Sequence, residues 1–210
     1  MIEPAALLAW SALALIVTVS PGPDTMLVAA HAARSGFRAG VAAVAGIMLG
    51  VAWYGSLIAF GALSILVAVP ALFLVVKIAG ALYLAWLGAG MLWRAFQGAA
   101  QQQPSKPPQL GAPLAQGFFT NALNPKVALF YLAALPQFAS GPSAPMIGVL
   151  LLAIHAAMGV VWLTAIALAA ARARQAATSS AAFKRIGRWL EGAVGAFFIA
   201  VAGRLAVAQR

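Results

Sequence analysis

Six long apolar stretches, each near the length an α-helix needs to cross a bilayer, govern what this chain can become. A helix takes roughly 20 apolar residues to span the hydrocarbon core. The stretches read as residues 5–33, 40–66, 70–95, 113–138, 145–171 and 189–208. Composition agrees: 64% of the residues are hydrophobic and 8% charged, against about 25% charged in ordinary soluble domains. A transmembrane β-barrel would show short alternating segments instead of continuous apolar runs. The expected fold is therefore an all-α integral membrane protein with six transmembrane helices, forming a single membrane domain over residues 1–210.

The formal net charge is +10, which in a soluble chain would raise the question of nucleic acid. Here the basic residues sit in short connections, where the positive-inside rule puts them, so nucleic acid is not an expected partner. Arg34 and Arg38 follow the first stretch, Arg94 and Lys106 flank the third connection, and Arg172, Arg174, Lys184, Arg185 and Arg188 follow the fifth stretch. The intervening connections near Val69-Pro70 and over residues 139–144 are uncharged. Basic loops alternate with uncharged ones, which places the basic side in the cytoplasm and both termini on the other side. Arg204 and Arg210 are exceptions, outnumbered by the nine basic residues of the cytoplasmic side. The start, Met1-Ile2-Glu3-Pro4, has no positive n-region, so the first stretch is expected to be retained as a helix. There are no cysteines, hence no disulfide, thiol redox chemistry or thiolate metal site on this chain.

Residues 97–112, rich in Gln and Pro, divide the chain into 1–96 and 113–210, with three stretches in each half. An odd number of spans per half forces the halves into opposite orientations, the inverted-repeat arrangement of many secondary transporters. Each half also has a break in its first span. The first is Ser20-Pro21-Gly22-Pro23-Asp24 and the second Asn121-Ala122-Leu123-Asn124-Pro125-Lys126. Asp24 and Lys126 each follow a proline and lie 102 residues apart, about half the chain. Prolines leave helix carbonyls unpaired, and such breaks survive at membrane depth only against protein or water. Pro21, Gly22, Pro23 and Pro125 are accordingly read as helix-break or gating positions.

Asp24 is one of three acidic residues, with Glu3 and Glu191, and lies deepest in apolar sequence. An intramembrane acid is a functional-site hypothesis by default. It can pair with a substrate ammonium, or take up and release a proton. A fixed ion pair with Lys126 or Lys77, or helix capping after the break, is the competing structural role. Asn121 and Asn124 offer amide groups which, with helix-end dipoles, can hold a zwitterion; equally they can satisfy a proline-loosened backbone. Lys77 lies roughly 10 Å into its span at about 1.5 Å per residue, where it can snorkel to the interface or partner Asp24. His31 reads as interfacial and His155 as a residue able to face a cavity. Glu191 is expected to pair with Arg188. Neither histidine has metal-site spacing, and no GxSxG, P-loop, HExxH or catalytic carboxylate pair occurs. No enzyme activity, metal or cofactor is expected.

Gly36-x3-Gly40 and Gly46-x3-Gly50, with Gly80, Gly88 and Gly90, place small residues where helices can approach closely; such faces would also serve a homodimer. Trp53, Trp86, Trp93, Trp162 and Trp189 read as interfacial anchors.

These residues together resemble the RhtB/LysE family of bacterial amino-acid exporters. The resemblance runs through Ser20-Pro21-Gly22-Pro23-Asp24-Thr25-Met26-Leu27, Arg34-Ser35-Gly36, Gly40, Gly46-Ile47 and Gly50. It resumes at Lys77-Ile78-Ala79-Gly80-Ala81-Leu82-Tyr83-Leu84 and returns at Asn121-x-x-Asn124-Pro125-Lys126 and Phe130-Tyr131. It implies a six-span inner-membrane exporter of small amino acids of the threonine, homoserine and leucine class, or of lysine, driven by proton antiport. The carried-over site comprises Pro21, Gly22, Pro23, Asp24, Lys77, Asn124, Pro125 and Lys126. Absent cysteines and two separated histidines set aside the thiol- and metal-handling branches of the wider superfamily. One buried acid favours neutral over cationic substrates. The alternatives are an exporter of another small solute or cation, and a non-catalytic membrane protein.

Overall fold

The computed structural model describes residues 2–60, 69–97, 110–139, 141–177 and 181–207. These form eight helices and no strand: α1 (Pro4–Val19), α2 (Pro23–Ser35), α3 (Phe37–Ala59), α4 (Pro70–Gln97), α5 (Gly111–Ala122), α6 (Pro125–Phe138), α7 (Ala144–Ala177) and α8 (Ala181–Val207). The connection over residues 98–109, including Lys106, lies outside the described residues.

Among the described residues, α3 and the segment Ala144–Gln175 of α7 are long and apolar enough to cross a membrane. The pair α1 and α2, bent by 49° at its break, makes a third if taken as one span. The remaining expected spans fall on α4, on α5 with α6, and on α8. Three expected boundaries move by several residues. The basic segment 172–188 is largely helical, because α7 runs on to Ala177 and α8 starts at Ala181. The second stretch begins at Phe37, and its helix is described to Ala59.

The interior is built by close helix approach. α3 lies against α5, α7 and α2, while α4 pairs with α8. At the α3–α5 crossing, Gly46 faces the Leu114 carbonyl and Gly117 faces the Ala43 carbonyl so closely that neither position has room for a Cβ. The α4–α8 pair repeats the device: a Cβ on Gly88 would stand 2.7 Å from the Gly195 oxygen. Small residues let backbones meet where lipid gives no hydrophobic drive between helices. The pair Gly36 and Gly40 differs from expectation. Gly36 has φ +89° and joins α2 to α3, so it is a turn residue, and only Gly40 packs inside a helix, against Ala32 and Ala167.

A buried cluster joins Trp10 and Ala14 of α1 to Tyr54 of α3, Tyr131 of α6 and Leu151 of α7. Trp10 donates from Nε1 to the Leu151 carbonyl at 2.8 Å. Outward positions are apolar too: Leu8, Ile16, Leu82 and Val161 are exposed, as expected of residues facing hydrocarbon. Trp53, Trp86, Trp93 and Trp189 are exposed, but Trp162 is half-buried, with its Nε1 enclosed and unpartnered among the described residues.

Candidate functional site

Local chemistry sets both breaks. Pro21 and Pro23 have no N–H to continue α1, and Gly22 is extended, with φ −164° and ψ 179°. The helix restarts with Pro23 in its first turn, a position where proline's missing donor costs nothing. The second break ends α5 at Ala122 and restarts α6 at Pro125. Asn124 caps the new helix, its Oδ1 accepting from the Lys126 backbone N–H at 3.0 Å. Asp24 and Lys126 thus hold the same place in two helices, each one residue after an N-terminal proline.

The two breaks meet. Asn121 Nδ2 donates to Asp24 Oδ2 at 2.8 Å, and Lys126 Nζ donates to the Ser20 carbonyl at 2.8 Å. The lysine therefore satisfies a carbonyl freed by the first break, and it makes no direct ion pair with Asp24 among the described residues. Its stem passes over Gly22, where a Cβ would come within 3.4 Å of Nζ. Asp24, Asn121, Asn124, Lys126 and Gly22 line one cavity of about 50 Å³ together with His155 and apolar residues of α1, α3 and α7. Asn121 and Asn124 are buried. Asp24 Oδ1 and Asn121 Oδ1 are both enclosed and have no hydrogen-bond partner of good geometry among the described residues. Buried acceptors without donors are uncommon and call for an explanation such as a ligand or water.

Of the sequence-derived residues, the structure thus brings Asp24, Asn121, Asn124, Lys126 and Gly22 together. Lys77 is on α4, but its side chain lies outside the described residues, as does that of Pro125. Pro23 is buried beside the site, whereas Pro21 is exposed.

Sequence reasoning missed Tyr54 and Tyr131 beside the break, and gave His155 only as a residue able to face a cavity. Tyr54 Oη donates to the Ala122 carbonyl at 3.0 Å, closing the end of α5. Tyr131 Oη bonds His155 Nδ1 at 2.8 Å, and the two tyrosine rings lie 5.4 Å apart. An aromatic in an apolar stretch carries no signal separating such a role from packing. Towards the other end of α2, His31 Nε2 bonds Gln116 Oε1 at 2.8 Å, tying α2 to α5 rather than standing at an interface alone. Glu191 pairs with Arg34 at 3.2 Å, a partner the sequence reading did not name; the expected partner, Arg188, has its side chain outside the described residues. Arg34 is on α2 and Glu191 on α8, so this pair joins the two halves of the chain.

A polar cavity at the meeting point of two interrupted helices, in an all-helical apolar protein, defines a membrane transport protein. The comparisons carry this further. The family model for the LysE type translocator matches residues 15–209, and the chain belongs to that family; it is a translocator and not an enzyme. An uncharacterised membrane protein of Pseudomonas aeruginosa is 34% identical over 145 residues, 67% of each chain. A leucine efflux protein of Klebsiella pneumoniae is 32% identical over 125 residues, 60% of this chain and 59% of that one. The leucine efflux protein of Salmonella typhimurium is 27% identical over 199 residues, 93% of this chain and 92% of that one. No solved structure matches.

Proposed function

We propose that this protein exports small neutral amino acids, leucine the first candidate, in exchange for protons. The observation that carries the reading is the meeting of the two breaks at Asp24 and Asn121, two residues that line the cavity and each keep an enclosed acceptor oxygen unpartnered among the described residues. An α-ammonium supplies the donors those oxygens lack. Asn121 then works with Asp24 at the ammonium end, while Lys126, with donors left beyond its bond to Ser20, offers positive charge to the carboxylate. Asp24 and Lys126 are the charged side chains lining the cavity, a balance suited to a zwitterion. Relatives named for leucine efflux support the substrate.

The coupling follows from one carboxylate with two uses. Asp24 binds either a proton or the substrate ammonium, so movement of one leaves room for the other. A cavity of about 50 Å³ holds a few waters at about 10–15 Å³ each, too little for leucine, so binding requires the surrounding helices to part. Rocking of two inverted halves, residues 1–96 and 113–210, about the paired breaks would provide that opening. In this reading the chain crosses the inner membrane six times. Arg34, Glu191 and Arg174 gather at one end of the bundle: Arg34 pairs with Glu191, and Arg174 Nη1 approaches Gly36. That end is read as cytoplasmic.

The test is amino-acid release from bacterial cells loaded with leucine-containing and other dipeptides, with and without the protein. Expression-dependent release of leucine or a similar neutral amino acid is expected. No release of any neutral amino acid would overturn the reading.

A further inference from the structure

His155 has no part in the exchange described above, although it lines the same cavity. We propose that it is the group that reads the substrate's carboxylate, held in the required tautomer by Tyr131. The inference rests on the amino-acid reading of this site and specifies the ligand class further: the substrate must carry a free carboxylate.

Tyr131 is fully buried, and its hydroxyl has one hydrogen-bond partner among the described residues, His155 Nδ1 at 2.8 Å. A hydroxyl hydrogen sealed from water needs an acceptor. If Nδ1 carried the proton, the tyrosine oxygen would accept and its own hydrogen would have nowhere to go. Donation from Tyr131 to Nδ1 is therefore the satisfied arrangement, and it leaves the proton of a neutral imidazole on Nε2. Two aromatic neighbours hold the ring. Phe130 meets it edge-on at 5.2 Å and Tyr131 at 5.6 Å. With Nδ1 engaged, Nε2–H is the donor that remains, and His155 makes no other hydrogen bond among the described residues. Tyr131 in turn packs on Tyr54, which closes the end of α5 at the second break.

Thr18, Ser20, Thr25 and Asn124 also line the cavity; the four groups that bear on a zwitterion fall into two sets. Asp24 Oδ1 and Asn121 Oδ1 accept, and Lys126 Nζ and His155 Nε2 donate. Ammonium and carboxylate of one α-amino acid need those two sets. Lys126 is already partly engaged with Ser20, so a neutral, directional donor on α7 gives the carboxylate a second and more exacting contact. An ammonium compound without a carboxylate gains nothing from it.

The experiment measures binding of leucine and of isoamylamine, which keeps the ammonium and the branched side chain but has no carboxylate or carbonyl, to purified wild-type protein and to His155→Leu, His155→Gln and Tyr131→Phe. Wild-type protein should prefer leucine. His155→Leu should weaken leucine about tenfold or more and leave isoamylamine within about twofold, because a donor to the carboxylate is lost. His155→Gln, which keeps an N–H donor, should recover part of the loss and also serves if the leucine variant does not fold. Tyr131→Phe should fall between, by releasing the tautomer. Equal weakening of both ligands in folded variants, or unchanged leucine binding, overturns the role of His155 while leaving the exporter reading intact. Failure of wild-type protein to bind either ligand overturns the amino-acid reading and this inference with it.

Discussion

Gly50→Ala tests the site's geometry without removing any of its chemistry. The added methyl would lie 2.7 Å from Asn121 Oδ1 and 2.8 Å from Asn121 Cβ. A carbon needs about 3.5 Å from its neighbours, so the asparagine must retreat by about 0.8 Å. Its amide now holds Asp24 Oδ2 at 2.8 Å. Where that retreat lengthens the bond by its full size, the distance passes about 3.5 Å, beyond which it no longer counts as one. A hydrogen bond to a charged group contributes about 1.5–3 kcal/mol, and about 1.4 kcal/mol is a factor of ten. Leucine affinity should therefore fall roughly 10- to 100-fold. Overpacking itself costs about 1–3 kcal/mol of stability, so the melting temperature should drop as well. Gly55→Ala is the control, because its methyl would meet the tip of Leu152 at 3.4 Å, a side chain able to yield. The assay is leucine binding to purified protein with a thermal melt on the same samples. Wild-type affinity in Gly50→Ala would refute the claim that Asn121 must be held on Asp24.

Two further variants address the surroundings. Tyr54→Phe leaves the Ala122 carbonyl unpaired at the second break and should lower stability by about 1–3 kcal/mol, read by thermal unfolding; an unchanged melt would show the hydroxyl to be dispensable there. Arg34→Ala removes an ion pair whose side chains are 54% and 19% exposed, so its cost should stay below about 1 kcal/mol and shrink with added salt, seen as a small melting shift that salt erases.

Much of the site was legible because helix breaks are local. Pro21, Gly22 and Pro23 announce an interruption, and so do Asn124 and Pro125, wherever the rest of the chain goes. A lone acid in apolar sequence is equally conspicuous. What joins these pieces is tertiary, and the sequence carries no local mark of it. Asn121 was visible as a polar group at depth, but nothing near it in the chain says that it bonds Asp24 rather than a neighbouring carbonyl. Tyr54, Tyr131 and His155 sit on three helices and look like ordinary core residues until those helices pack. Glu191 was matched to Arg188 because the two are close in sequence; its pair with Arg34 comes from packing of α8 beside α2, which no local pattern marks. Gly36 fitted a helix-packing spacing, yet its positive φ makes the turn between α2 and α3, a role glycine fills because it has no Cβ to clash. The helical extent of the basic segment before Trp189 was hidden as well, since charged residues in an α-helix beyond the apolar core look like a loop to a hydropathy reading.

The account's central claim is that one carboxylate, Asp24, exchanges a proton for the substrate ammonium. The most direct measurement is leucine movement in liposomes carrying the purified protein, driven by an imposed pH gradient, for wild type and Asp24→Asn. The account predicts that the gradient drives leucine against its own concentration gradient in the wild type and that this coupling is lost in the variant. Gradient-driven accumulation that persists in Asp24→Asn would contradict it.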